Sequence, residues 1–182
     1  KIKKLNIPVV FTREPGGNQS AEKIRNLILS GKINKFDVLT DTLLYLAARN
    51  EHIKKFIHPN LKAKRIVICD RFIDSTYAYQ STNNIVIKKL IDFIHKIILN
   101  KYKPNINFIL TVNINKAFKR LKKRKKLNRY DKFPRSFYVN AQKTFISIAK
   151  KNKNRCFVID NSHDKDITEK RIFSFFQKKY KK

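Results

Sequence analysis

Four short apolar runs constrain this chain more than any other feature: residues 7–11, 65–69, 106–112 and 155–160. Each is continuously apolar or nearly so, where a strand with one wet face would alternate. Runs of this kind suit parallel strands covered on both faces. The segments between them are long enough for crossover helices, as parallel strands require. Ala21, Ile24, Leu27 and Ile28 repeat with helical spacing; Ser20 is a candidate cap before them and Gly31 a stop after them. A second helix is expected over 37–58, ended or kinked by Pro59. Further helices are expected over 75–80, 86–99, 117–126, 137–150 and 167–180. The pattern is that of an α/β, three-layer fold of one domain over 1–182. In such folds ligands bind at the C-terminal ends of strands. The two most polar strand ends are Arg13-Glu14-Pro15-Gly16-Gly17 and Asp70-Arg71.

Composition removes several function classes. No stretch of about 18 apolar residues exists, so no membrane-spanning helix is expected, and the N-terminal residues turn polar too soon for a secretory signal. Cys69 and Cys156 lie inside apolar runs and read as small buried hydrophobes of a reducing, cytoplasmic protein, neither disulfide nor metal ligands. The formal charge of +30 admits a nucleic-acid partner. However, Lys, Ile, Asn, Phe and Tyr make up 95 of 182 residues, the residues of A/T-rich codons. Drift of surface positions toward Lys in an A/T-biased genome accounts for the charge more simply. Nucleic acid is thus a possible partner but not the expected one.

The chemistry-bearing residues gather at the polar strand ends. At position 70 an acid tips a buried strand and an arginine follows it. The Asp can orient hydrated Mg²⁺, and the Arg can grip a phosphate with two donors. A surface ion pair at a strand end would use the same two residue types. Residues 120–129, Arg120-Leu-Lys-Lys-Arg-Lys-Lys-Leu-Asn-Arg129, form a basic run of a kind that can hold nucleic acid.

Three motifs in order decide between these readings. Phe11-Thr-Arg-Glu-Pro-Gly-Gly17, Tyr45-Leu-Ala-Ala-Arg49 and Asp70-Arg-Phe-Ile-Asp-Ser-Thr-Tyr-Ala-Tyr-Gln80 together resemble the bacterial-type thymidylate kinase family over essentially the whole chain. The resemblance implies transfer of a phosphoryl group from ATP to dTMP, giving dTDP and ADP for dTTP biosynthesis, with Mg²⁺, in a homodimer. It implies that Tyr45 stacks on thymine, that Arg49, Thr76 and Gln80 read the base, and that Tyr79 walls off the sugar. Arg71 would bind the dTMP phosphate, with Arg13, Pro15 and Ser75 beside it. Asp70 would act on Mg²⁺ through water. The bond before Pro15 is a candidate cis peptide. The basic run would be a lid over about 120–136, whose Arg124 and Arg129 reach the transferring group. Lys125 stands where that lid usually has Gly, and Asn128 where Asp precedes the Arg. Two rivals remain at this point: a basic nucleic-acid-binding protein derived from a kinase, and another deoxynucleotide or deoxynucleoside kinase.

The loop G-x-x-x-x-G-K-[ST], which cradles nucleotide phosphates, is not found; the three glycines are Gly16, Gly17 and Gly31, and there is no Met. An upstream segment carrying that loop and a first strand is therefore expected outside this chain, with residues 1–5 as the end of the intervening helix. The family's sheet order is 2-3-1-4-5, so its central strand would be absent here. A chain without it is expected to fold poorly and to be inactive as a kinase.

Overall fold

The computed structural model describes residues 7–99, 102–162 and 165–180. The expected end of a helix at 1–5 lies outside them. Strand β1 (Val9–Arg13) leads through α1 (Gln19–Leu29), α2 (Val38–His52) and α3 (His58–Lys62) to β2 (Ile66–Asp70). Then follow α4 (Ile73–Gln80), α5 (Ile85–Leu99), β3 (Asn107–Thr111), α6 (Ile114–Lys122), α7 (Arg135–Lys151), β4 (Cys156–Asp160) and α8 (Lys165–Tyr180). No described helix is long and apolar enough to cross a membrane.

All ladders are parallel, as the continuous apolar runs require. β1 pairs with β2 from Val9↔Ile66 to Arg13↔Asp70, and β3 with β4 from Asn107↔Cys156 to Thr111↔Asp160. Among the described residues these are two separate two-stranded sheets. The expected single sheet is thus seen only as two separate pairs. Most strand residues are half-buried, and Phe11, Leu110 and Val158 are exposed, so the expected cover on both faces is incomplete: a ladder two strands wide offers helices little to close over. The apolar core is divided accordingly. Ile53, Ile57, Ile73 and Leu99 form one cluster, and Ile109, Ala149 and Cys156 another.

Side chains tie the two pairs together. Asp74, buried on α4, accepts two hydrogen bonds of 3.0 Å from the Arg155 guanidinium before β4 and another from Asn107 of β3. The bidentate geometry suits a planar fork against a carboxylate.

Local expectations fail at two helix ends, and at a third one of two alternatives is ruled out. Asn18, not Ser20, caps α1, because its backbone is extended and its Oδ1 accepts the Ala21 N–H at 3.1 Å. Ser20 instead accepts from Lys55 Nζ. Pro59 does not stop the second helix. A π-helical turn, Ile53–Ile57, intervenes, and Pro59 sits in the first turn of α3, where a missing N–H is tolerated. Helix α6 begins at Ile114, since the Asn113 side chain accepts the N–H groups of Asn115 and Lys116, and it ends at Lys122.

Candidate active site

The polar tips of β1 and β2 lie side by side. The ladder runs one residue further: the Glu14 N–H donates to the Asp70 carbonyl at 2.9 Å. The Glu14–Pro15 bond is cis, as expected, and Gly16 and Gly17 have φ of 126° and 93°. Here glycine is required twice over. Beyond the backbone angle, a Cβ on Gly17 would strike the His52 ring and Thr12 hydroxyl, and one on Gly16 the Glu22 carboxylate. The turn is held by the Gly17 N–H, which donates to Glu22 Oε1 at 3.0 Å, and by Arg25, which donates to the Pro15 carbonyl at 2.7 Å. Partial burial pushes the Glu22 carboxyl up, but the Gly17 N–H and the Arg13 guanidinium outweigh it and hold the group below its usual value.

Beneath this turn lies a buried polar network. Arg49, only 2% exposed, donates through Nε and Nη2 to Glu14 Oε2 at 2.8 and 2.7 Å. Its Nη1 donates to Thr76 Oγ1 and to His95 Nε2, each at 2.8 Å. The other Glu14 oxygen accepts from His52 Nδ1 at 3.1 Å, and His52 Nε2 meets the Thr12 hydroxyl at 2.7 Å. Helical spacing produces this: Tyr45, Arg49 and His52 all lie on one buried face of α2.

Above the turn, positive charge collects. Arg71 takes a left-handed backbone, φ 69°, and its guanidinium stacks 4.3 Å from the Tyr79 ring centre. Arg13 pairs with Glu22 at 3.2 Å. Burial lowers the pKa of Arg25, and the like charges of Arg13 and Arg71 lower it further, which marks the three guanidiniums as electrostatic neighbours. Such a cluster, even beside the carboxylates of Glu22 and Asp70, suits an anion.

An aromatic wall completes the site. Tyr45 meets Tyr130 edge to face at 5.9 Å, and burial pushes the Tyr45 phenol up. Gln80 Nε2 donates to the Tyr130 oxygen, which donates to Asp41 Oδ2, each at 3.0 Å. Arg129 donates to both oxygens of Asp41 and, through its main chain, to the Leu29 carbonyl. Tyr79 stacks on Phe137 at 5.6 Å.

The family model described as Thymidylate kinase matches residues 1–172. The thymidylate kinase of Ehrlichia chaffeensis is 43% identical over 162 residues, 88% of this chain and 77% of that one. Those of Wolbachia pipientis subsp. Culex pipiens and Mycoplasma capricolum are 44% and 37% identical, over 87% and 91% of this chain and 74% and 79% of theirs. The crystal structure of the Ehrlichia chaffeensis enzyme superposes with a TM-score of 0.75 at 34% identity, covering 97% of this chain and 84% of that one.

The chain belongs to the thymidylate kinase family.

The residues that the thymidylate kinase motifs single out fall in two groups. Arg13, Pro15, Tyr45, Arg49, Arg71, Ser75, Thr76, Tyr79 and Gln80 stand at the end of β1 and on the turn after it, on α2, and just past β2 and on α4. The lid residues are disposed otherwise. Arg124 is exposed and pairs with Asp131 at 2.8 Å. Arg129, expected at a transferring phosphoryl group, is 1% exposed and held by Asp41 in this conformation. Asn128, where the family pattern has Asp, still anchors the segment: its Oδ1 accepts the Tyr130 N–H at 2.8 Å, and Asp131 accepts the Asn128 N–H. Asp70 is exposed at its strand tip, and no group of three His, Cys, Asp or Glu able to hold a metal occurs among the described residues. A single carboxylate nevertheless fits Mg²⁺, which keeps several waters and binds through one or two carboxylates plus phosphates.

Sequence reasoning missed Glu14, Glu22, Arg25, His52, His95, Asp41 and Tyr130. His52 was legible, three residues beyond Arg49 on the same face. Nothing local marks His95 or Asp41, whose partners lie 46 and 88 positions away.

Proposed function

We propose that this chain is a dTMP kinase whose acceptor site binds dTMP across the tips of β1 and β2. The observation that supports this best is the juxtaposition of the Arg13–Arg25–Arg71 cluster with the buried Tyr45–Arg49–Thr76 face. A nucleoside monophosphate has the same two ends, a dianion and a flat polar ring. In this reading Arg71, with Arg13 and Arg25, clamps the 5′-phosphate. Tyr45 offers a stacking face to thymine, and Arg49, Thr76 and Gln80 read its polar edge. Pro15 and Ser75 line the turn beside the phosphate, and Tyr79 borders the sugar.

ATP would be the phosphoryl donor, with Mg²⁺ neutralising charge on its phosphates. Asp70 would hold the hydrated ion, and the exposed Arg124 would swing toward the transferring group by leaving its surface pair with Asp131. Arg129 then acts as a positioning residue that pins the base of the lid to α2. A homodimer fits the exposed Val38, Leu39 and Leu43 on α2. The acceptor site is composed of residues of this chain, so binding can be measured without turnover. Titrating the 182-residue chain with dTMP should shift tyrosine resonances and saturate. Thymidine, lacking the phosphate, should bind at least about tenfold more weakly. Equal binding of thymidine and dTMP would overturn the phosphate assignment, and no binding of either would overturn the reading.

A further inference from the structure

Arg49 has five N–H donors, and four are directed at Glu14, Thr76 and His95. Glu14 and Thr76 belong to the nucleotide-binding motifs. His95 does not: it lies on α5, behind the site, and is 5% exposed. Because a guanidinium only donates, His95 Nε2 must accept. The ring proton is therefore on Nδ1, 3.2 Å from the Tyr77 oxygen. That oxygen in turn lies 2.7 Å from Asp92 Oδ1, a carboxylate that only accepts, so the phenol donates outward. The chain of donors runs one way: Arg49, His95, Tyr77, Asp92. Lys88 meets Asp92 at 3.4 Å at its outer end.

We propose that His95 is a positioning residue for pyrimidine recognition, aiming the Arg49 guanidinium through Nε2 while Tyr77 and Asp92 fix its tautomer. This rests on the reading above that Arg49 faces the base. The physical case is selectivity of role. A carboxylate in place of His95 would compete with Glu14 for the guanidinium and draw it back from the ligand. A neutral acceptor takes one Nη1 hydrogen and leaves Glu14 the sole charged partner of Arg49. Burial and the adjacent Arg49 charge keep the imidazole neutral, with its pKa lowered to about 3. His95, Arg49, Tyr77, Asp92 and Lys88 thus form a single oriented strut from the outer surface of α5 to the floor of the site.

The test is calorimetric titration of the chain with dTMP and with 2-deoxyribose 5-phosphate, which keeps the phosphate and lacks the base. His95→Leu keeps bulk and removes the acceptor. It should weaken dTMP about 10- to 100-fold, the range for a hydrogen bond to a charged group, and leave the sugar phosphate within about threefold. His95→Gln, whose side-chain oxygen can stand where Nε2 stands, should restore dTMP to within about threefold of wild type. Should the Leu variant not fold, Tyr77→Phe, which leaves the Nδ1 proton without its acceptor, should weaken dTMP selectively by about fivefold. Unchanged dTMP affinity in the foldable variant overturns the proposal. So does an equal loss toward both ligands, which would mark a merely structural role. Failure of the wild-type chain to bind dTMP at all would instead overturn the functional reading beneath it.

Discussion

Two residues carry consequences out of proportion to their size. Arg71 is an L-residue held at φ 69°, a conformation that costs about 1–2 kcal/mol outside glycine. Its geometry sets the guanidinium over Tyr79 at the strand tip. Arg71→Gly should therefore raise folding stability, by about 1 kcal/mol in urea unfolding, while weakening dTMP about 100-fold in titration. His95 makes a different prediction. Its pKa is about 3 when folded and about 6.5 in an unfolded chain. Between those values the unfolded state binds a proton that the folded state refuses, so stability falls as pH drops below about 6.5, by about 1.4 kcal/mol per unit. His95→Gln should lose stability less steeply than wild type from pH 7 to pH 5 in the same urea series. Stability that is flat with pH in both proteins would mean that the folded imidazole is free to charge.

At the scale of elements, the segment between α6 and α7 is fastened at its base. Arg129 is buried against Asp41 of α2, and Tyr130 and Gln80 share that carboxylate's network. Asp41→Asn leaves a buried guanidinium without its counter-charge. It should cost about 3 kcal/mol of stability and speed amide hydrogen exchange at 123–133 ahead of exchange in α7. Element positions were largely legible in the sequence, because continuous apolar runs and helical repeats are local signals. The strand ends that hold the candidate site were legible for the same reason, together with the turn at Pro15-Gly16-Gly17. What escaped were choices made by competition. Asn18 took the cap because its side chain reached Ala21 while Ser20 met Lys55. Pro59 stayed helical because a π turn absorbed the misfit before it. Glu14 and Asp41 became counter-charges only once distant chain segments met, which no spacing along the sequence announces.

The described residues form two parallel strand pairs, each with its own apolar cluster, and the chain carries +30 of formal charge. Self-repulsion at that charge opposes compactness, so added salt should raise the melting temperature by screening it. Asp74 is the group most exposed to this tension, since it alone accepts from both Arg155 and Asn107 across the division. Asp74→Ala should cost about 2 kcal/mol, less than a fully buried pair because Arg155 is partly solvated. An unchanged urea midpoint would show that the tie bears no strain. Among the described residues that seam is crossed by side chains and not by a peptide ladder: the Asp74 carboxylate, Tyr79 against Phe137 and Asp41 against Arg129, and stitches of that kind give way one at a time. Heating should then part the halves before either melts, so that exchange-protected amides in Ile66–Asp70 and in Cys156–Asp160 report two separate openings, and a nucleotide gripping one side would steady that side alone.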